Sequence, residues 1–158
     1  MTAGWYCIDT SALVDLGKFY PWKIFPSLWD RLGDLADRAM LTAPDIVHRE
    51  LARGAKGDDG LTWCESHPAM FVAVETLQEF TRLLMNKFSK DGIDIHHIDQ
   101  ANEADVWVVA WALRHQALVI SHEGRSGPNT PKIPRLCECA RLEHDRLLRI
   151  IVDNDWSF

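Results

Sequence analysis

Four carboxylates stand at positions from which they could do chemistry together. Asp9 ends the apolar run in WYCIDTSAL, and Glu123 follows the apolar ALVIS closely in ISHE. Glu50 lies in PDIVHREL beside the apolar positions Val47 and Leu51, and Asp105 heads the apolar run VWVVAWAL. Carboxylates repel one another, so several crowd together only where a cation offsets the repulsion. An all-oxygen site of that kind suits Mg²⁺ or Mn²⁺, with waters completing an octahedron. Such a centre can acidify a water and offset charge on a phosphorus-centred transition state, which is the chemistry of phosphodiester hydrolysis.

Each acid also has a plainer role. Asp9, like Thr10 and Ser11 after it, is a good helix N-cap. Asp105 could be placed by its helix dipole, Glu50 could be a solvated surface acid, and Glu123 a loop residue without a partner. Asp99 is a weaker fifth candidate.

For the four to meet, the elements that carry them must converge. Residues 5–8 read as a short buried strand, 39–43 as a second, and 117–121 as one of the type that parallel sheets bury on both faces. Helices are expected from near Ser11, over 27–38 on the spacing of Trp29, Leu32, Leu35 and Ala36, and from Pro44 at a first helical position. In that third helix Ile46, Val47 and Leu51 face inward. Further helices are expected around Trp63, over 75–87, around the all-round apolar stretch 106–113, and over 134–140 and 145–154. GAKGDDG and HEGRSGPNTPKIP read as loops. Alternating strand and helix predict one α/β domain over 1–158, a parallel sheet with helices on both faces. Ligands in such sheets gather at the carboxyl ends of the strands, where Asp9 and Glu123 both emerge.

Composition narrows the classes. The 158 residues are 47% apolar and 25% charged, an ordinary balance for a globular domain able to bury a core. No apolar run approaches the roughly 20 residues of a membrane span. The opening MTAGWYCID has no basic stretch followed by an apolar one, so no signal peptide and a cytoplasmic location are expected. A net charge of −6 argues against a broad basic face for coating nucleic acid, while leaving room for a small basic groove. Cys137 and Cys139 form C-x-C rather than C-x-x-C, so with Cys7 and Cys64 they read as reduced thiols before they read as a zinc site. Among the seven tryptophans, Trp107 and Trp111 share a helical face, for which core packing ranks ahead of a dimer or partner surface. His96-His97-Ile98-Asp99 reads as a surface feature, because neighbours on an extended segment point opposite ways.

The order IDTSALVDL, APDIVHREL, EADVWVVAWAL, ALVISHE resembles the PIN-domain ribonucleases, over nearly the whole chain. With YPWKIFPSLWDRL and KIPRLC it is similar in particular to a bacterial PIN-like subgroup largely without assigned function. The resemblance implies a three-layer α/β/α fold around a mainly parallel sheet and an endoribonuclease dependent on Mg²⁺ or Mn²⁺. By motif, Asp9 matches the first-strand aspartate, Glu50 the glutamate of the helix, Asp105 the central aspartate, and Glu123 the final acid, where many members carry Asp. Thr10, Ser11 and Ser121 match hydroxyl positions near the metal. The extra methylene of Glu123 would move its carboxylate outward or leave it behind the ligands, and YPWKIFPSLW is longer and more aromatic than the family's usual run.

In the implied reaction Asp9 and Asp105, joined by Glu50, hold the cation; Glu50 or Glu123 accepts a proton from water, and Ser121 or Ser11 donates to a phosphate oxygen. Arg125, Lys132 and Arg135 flank the last acid and are the expected contacts to the RNA backbone. The implied partners are RNA, an antitoxin protein if the chain is half of a toxin–antitoxin pair, and a second copy in a homodimer. The rival reading is a PIN-fold protein that binds RNA or a partner without cutting. A phosphotransferase with Asp9 as nucleophile fits poorly, since Ser11 stands where the haloacid-dehalogenase pattern has a second Asp.

Overall fold

Five short strands build the sheet: β1 (Tyr6–Ile8), β2 (Leu41–Pro44), β3 (Phe71–Val72), β4 (Leu118–Ile120) and β5 (His144–Asp145). They lie in the order β3-β2-β1-β4-β5, and every neighbouring pair is parallel. The structure, a computed structural model, describes residues 5–54, 59–96, 103–124 and 131–158. Around the sheet run α1 (Thr10–Phe19), α2 (Pro26–Asp37), α3 (Asp45–Gly54), α4 (Asp59–Ser66), α5 (Gln78–Lys90), α6 (Glu103–His115), α7 (Ile133–Ala140) and α8 (Leu148–Asp153). This is the α/β architecture expected from the alternation, with a parallel sheet flanked by helices as in a three-layer fold.

Strands β1 and β2 are buried at every residue, which is why their sequences are apolar without alternation. Helix α6 packs across β1, β2 and β4 and against α5 and α7. Its Ala104, Val106, Val108, Val109, Ala110 and Ala112 are all buried, which accounts for an apolar surface all round. One polar thread runs through this packing. Trp111 Nε1 donates to Thr42 Oγ1 at 2.8 Å, and that hydroxyl donates to Tyr6 O at 3.0 Å. Trp111 thus serves the core, as expected.

Two strands were invisible in the sequence pattern. β3 and β5 are each two residues long and not fully buried, too short to show a period. The helix expected over 75–87 is a 3₁₀ turn, Val74–Leu77, followed by α5, and the helix expected over 145–154 is β5 followed by α8. Pro44 ends β2, opposite Val72, and α3 begins one residue later. Proline is tolerated there because a strand end need not donate to the ladder. In YPWKIFPSLW, Tyr20 and Phe25 pack edge to face, while Trp22 and Ile24 stay more than half exposed.

The topology fixes where a ligand would sit. From β1 the chain moves through β2 to β3 on one side, then returns to place β4 and β5 on the other. The strand order therefore reverses between β1 and β4, and in open sheets of this kind ligands bind outside the carboxyl ends of the strands at such a point. Asp9 follows β1 there, and Ser121, His122 and Glu123 follow β4. A crossover helix runs back against its strands, so α6, which leads into β4, starts at that same edge with Asp105 in its first turn. Among the described residues no helix is long and apolar enough to cross a membrane.

Candidate metal centre

Asp9, Asp105 and Glu123 each bring a carboxylate oxygen to one place, the three atoms lying within 4.8 Å of one another. Asp9 and Asp105 are buried and Glu123 is half-buried. Three segments far apart in sequence thus converge at the switch point of the sheet.

Asp9 caps a helix and stands in this cluster at the same time. It is the N-cap of α1, its Oδ1 accepting from Ala12 N at 3.0 Å and from Ser11 Oγ at 2.8 Å. Its Oδ2 accepts from Ser121 Oγ at 2.8 Å. A carboxylate oxygen has two lone pairs, so Oδ1 is filled and Oδ2 has room for one further partner. Burial outweighs these hydrogen bonds and lifts the Asp9 pKa to about 6.

Asp105 is the most exposed to repulsion and the least compensated. Only 7% of it is accessible, and its Oδ2 is buried without a hydrogen-bond partner. Burial, then the charges of Glu123, Asp9 and Glu50, push its carboxyl well above the usual carboxylate range. Glu123 is also raised, chiefly by burial. Its longer side chain proves useful: Oε2 accepts from Ile133 N at 2.8 Å, tying the acid to the first turn of α7. The carboxylate remains among the three, and is not displaced by the extra methylene.

Glu50 is placed differently from the other acids. Its Oε2 accepts from Thr10 Oγ1 at 2.7 Å, and it is not among the three converging oxygens, although its charge is felt at both Asp105 and Glu123. The hydroxyls form a scaffold under the acids. Ser11 Oγ, besides donating to Asp9, accepts from His122 N at 3.0 Å; Ser121 Oγ accepts from Glu123 N at 3.1 Å; the two hydroxyls lie 3.4 Å apart.

Of the expected RNA contacts, Lys132 precedes Ile133 at the cap of α7, close enough for its charge to pull Asp105 and Glu123 downward. Arg135 is in the first turn of α7, its Nε buried without a hydrogen-bond partner. Arg125, His97 and Asp99 lie outside the described residues. The cysteines are free thiols, with Cys137 buried and Cys139 Sγ donating to Asp91 at 3.0 Å, so the C-x-C pair is divided between two environments.

His122 was not singled out by the sequence, although ISHE places it between two site residues. Its Nε2 accepts from Leu147 N at 3.1 Å, which puts the ring proton on Nδ1, 2.9 Å from Asp15 Oδ2. The ring therefore clamps the turn carrying Ser121 and Glu123 to α1 on one side and to the chain leading into α8 on the other. His122→Ala would leave a partly buried carboxylate and a backbone N–H unpaired. A loss of about 1–3 kcal/mol is expected, read from urea unfolding, and an unchanged midpoint would show that the turn holds itself.

The donor set is oxygen only and includes one buried orphan oxygen, so its chemistry fits a hard divalent cation, whose charge would take the place of the protons that the raised carboxyls otherwise hold. Fold and site together define an α/β protein with a carboxylate cluster at the switch point of a parallel sheet. Residues 6–158 match the family described as Domain of unknown function (DUF4411), and the chain belongs to that family. No curated protein matches it.

Proposed function

We propose that the protein is a PIN-type, metal-dependent ribonuclease that hydrolyses RNA phosphodiester bonds. The observation that carries this reading is the convergence of carboxylate oxygens of Asp9, Asp105 and Glu123 within 4.8 Å of one another, with Asp105 Oδ2 buried and without a hydrogen-bond partner. Asp9, Asp105 and Glu123 would hold Mg²⁺ or Mn²⁺. When bound, the ion would supply Lewis acidity toward the phosphate and make a water more acidic.

The chain's own groups supply the rest. Ser11 and Ser121 orient Asp9 by donating to it, and the Ile133 N–H orients Glu123. Glu50, half-buried and held by Thr10, is the carboxylate best placed to accept a proton beside the cluster. Lys132, at the cap of α7, would meet backbone phosphate. A role as the toxin of a toxin–antitoxin pair, held in check by a small protein, is the setting this activity would suit.

Purified protein is expected to cleave RNA with Mn²⁺ or Mg²⁺ and to stop with chelator, followed on labelled single-stranded and hairpin substrates. RNA binding without cleavage under every metal condition would favour the non-catalytic alternative.

A further inference from the structure

The aromatic run YPWKIFPSLW, for which neither the sheet nor the carboxylate cluster has a use, forms part of a separate cavity with α4. This cavity measures about 300 Å³ and is lined by Trp22, Trp29, Trp63 and His67, with Asp59 and Ser66. It shares no residue with the three converging acids. Trp29 and Trp63 meet edge to face with ring centres 5.6 Å apart, and Trp63 leans on His67 at 4.8 Å. Trp29 Nε1 donates to Tyr20 O at 2.7 Å, and Trp63 Nε1 donates to Trp29 O at 3.2 Å. An indole has no other donor, so both rings can offer the cavity only carbon and π surface. His67 Nδ1 is held by Asp37 at 2.7 Å, and its ring presses on Gly33, where an added Cβ would stand 2.8 Å from Cε1. These walls are therefore fixed. Trp22 sits on a turn in which Ile24 N and Phe25 N both donate to Pro21 O, and its ring is 52% exposed.

An aromatic lining alone would accept any apolar group, and charge narrows the choice. Among the described residues no lysine or arginine lines the cavity, whereas Asp59 does. By helical spacing, exposed Asp30, Asp34 and Asp37 share the face of α2 on which Gly33 meets His67. Arg31 turns instead to stack on Trp156 and Phe158. A cation is attracted to the face of an indole, and a guanidinium can lie on such a ring while it forks to a carboxylate. The volume is at the low end for a ligand pocket, enough for one side chain. Trp22 and Ile24, both more than half exposed, add apolar surface that a small free cation would leave uncovered.

We propose that this cavity is a docking pocket for an arginine side chain carried on a segment of a partner protein, whose neighbouring apolar residues cover Trp22 and Ile24. Arginine set against tryptophan is a pairing from which protein interfaces draw much of their binding energy. The proposal does not depend on the metal reading of the carboxylate cluster.

The probe is the blocked tripeptide acetyl-Leu-Arg-Leu-amide, titrated into the full ¹⁵N-labelled chain while the indole N–H resonances are followed by NMR. Saturable shifts are expected. Trp22→Ala and Asp59→Asn should each weaken binding about three- to fivefold, the range for a cation–π contact and an exposed charge pair. The effect of Asp59→Asn should shrink at high salt. Both residues are exposed, so both variants should melt with the parent, which separates lost docking from lost fold. A glutamine peptide that binds as tightly as the arginine one would overturn the role of charge. Blocked arginine alone binding as well as the tripeptide would assign the pocket to a free small cation and overturn the protein partner. The proposal also fails if the tripeptide gives no saturable shift, or if both variants bind it like the parent.

Discussion

Asp105→Asn is expected to give a protein that no longer cuts RNA yet is more stable than its parent in chelator at pH 8, by about 1–3 kcal/mol. Most substitutions of a buried residue destabilise. Here the native residue is the strained one, because its carboxyl is buried and its neighbours carry the same charge. One pKa unit corresponds to about 1.4 kcal/mol of preference for the protonated form, so ionising Asp105 in the folded state is costly. Asparagine has the same shape, carries no charge, and can still donate toward Glu123, which already takes a hydrogen bond from Asp105. The substitution relieves the repulsion and deletes a ligand together. Thermal unfolding with chelator measures the first effect and RNA cleavage with Mn²⁺ the second. A variant that cleaves at the parental rate would remove the cluster from the chemistry. One that is inactive but also less stable would mean that the hydrogen bonding of the Asp105 carboxyl outweighs the repulsion it meets.

Such trade-offs explain which parts of this molecule could be read from its sequence. Strand β1 and helix α6 were legible because burial on all sides leaves an uninterrupted apolar run, and Asp9 and Asp105 stood out as acids at the ends of those runs. Glu123 was legible as an acid just past β4. Pairing decides the elements that were not. β3 and β5 exist because Ala43 and Pro44, or Val119 and Ile120, offer a strand edge to pair with, and two residues carry no period of their own. The same holds at the site. Glu50 resembled the other acids in its setting beside an apolar helical face, but its direction depends on Thr10, which reaches it across 40 positions of sequence. The tie between Glu123 and Ile133 and the clamp of His122 onto Asp15 likewise join residues whose meeting only the topology determines.

Metal-free protein is expected to lose stability as pH rises from about 4 to 7, and Mn²⁺ is expected to reverse that trend. Asp9 has a pKa of about 6 in the folded protein against 3.8 for the free group, the rise caused first by burial. The folded state therefore holds this proton more tightly than the unfolded chain does, and stability falls with pH wherever that difference persists. The contribution is fully favourable below about pH 4, declines through pH 6, and amounts to about 3 kcal/mol once complete. Asp105, raised to about 9, extends the decline toward higher pH, and Glu123, also raised, adds to the loss in the same sense. A divalent ion binds only the deprotonated carboxylates, so its stabilisation grows over the same window in which the metal-free protein weakens. Melting temperatures in chelator and in Mn²⁺ should thus diverge steadily above pH 5. Asp9→Asn, which keeps the helix cap because asparagine caps as well as aspartate, should flatten the chelator curve and narrow the divergence. A chelator curve that rises between pH 4.5 and 7.5 would mean that the folded protein already neutralises these acids by itself, leaving no electrostatic reason for it to recruit a cation.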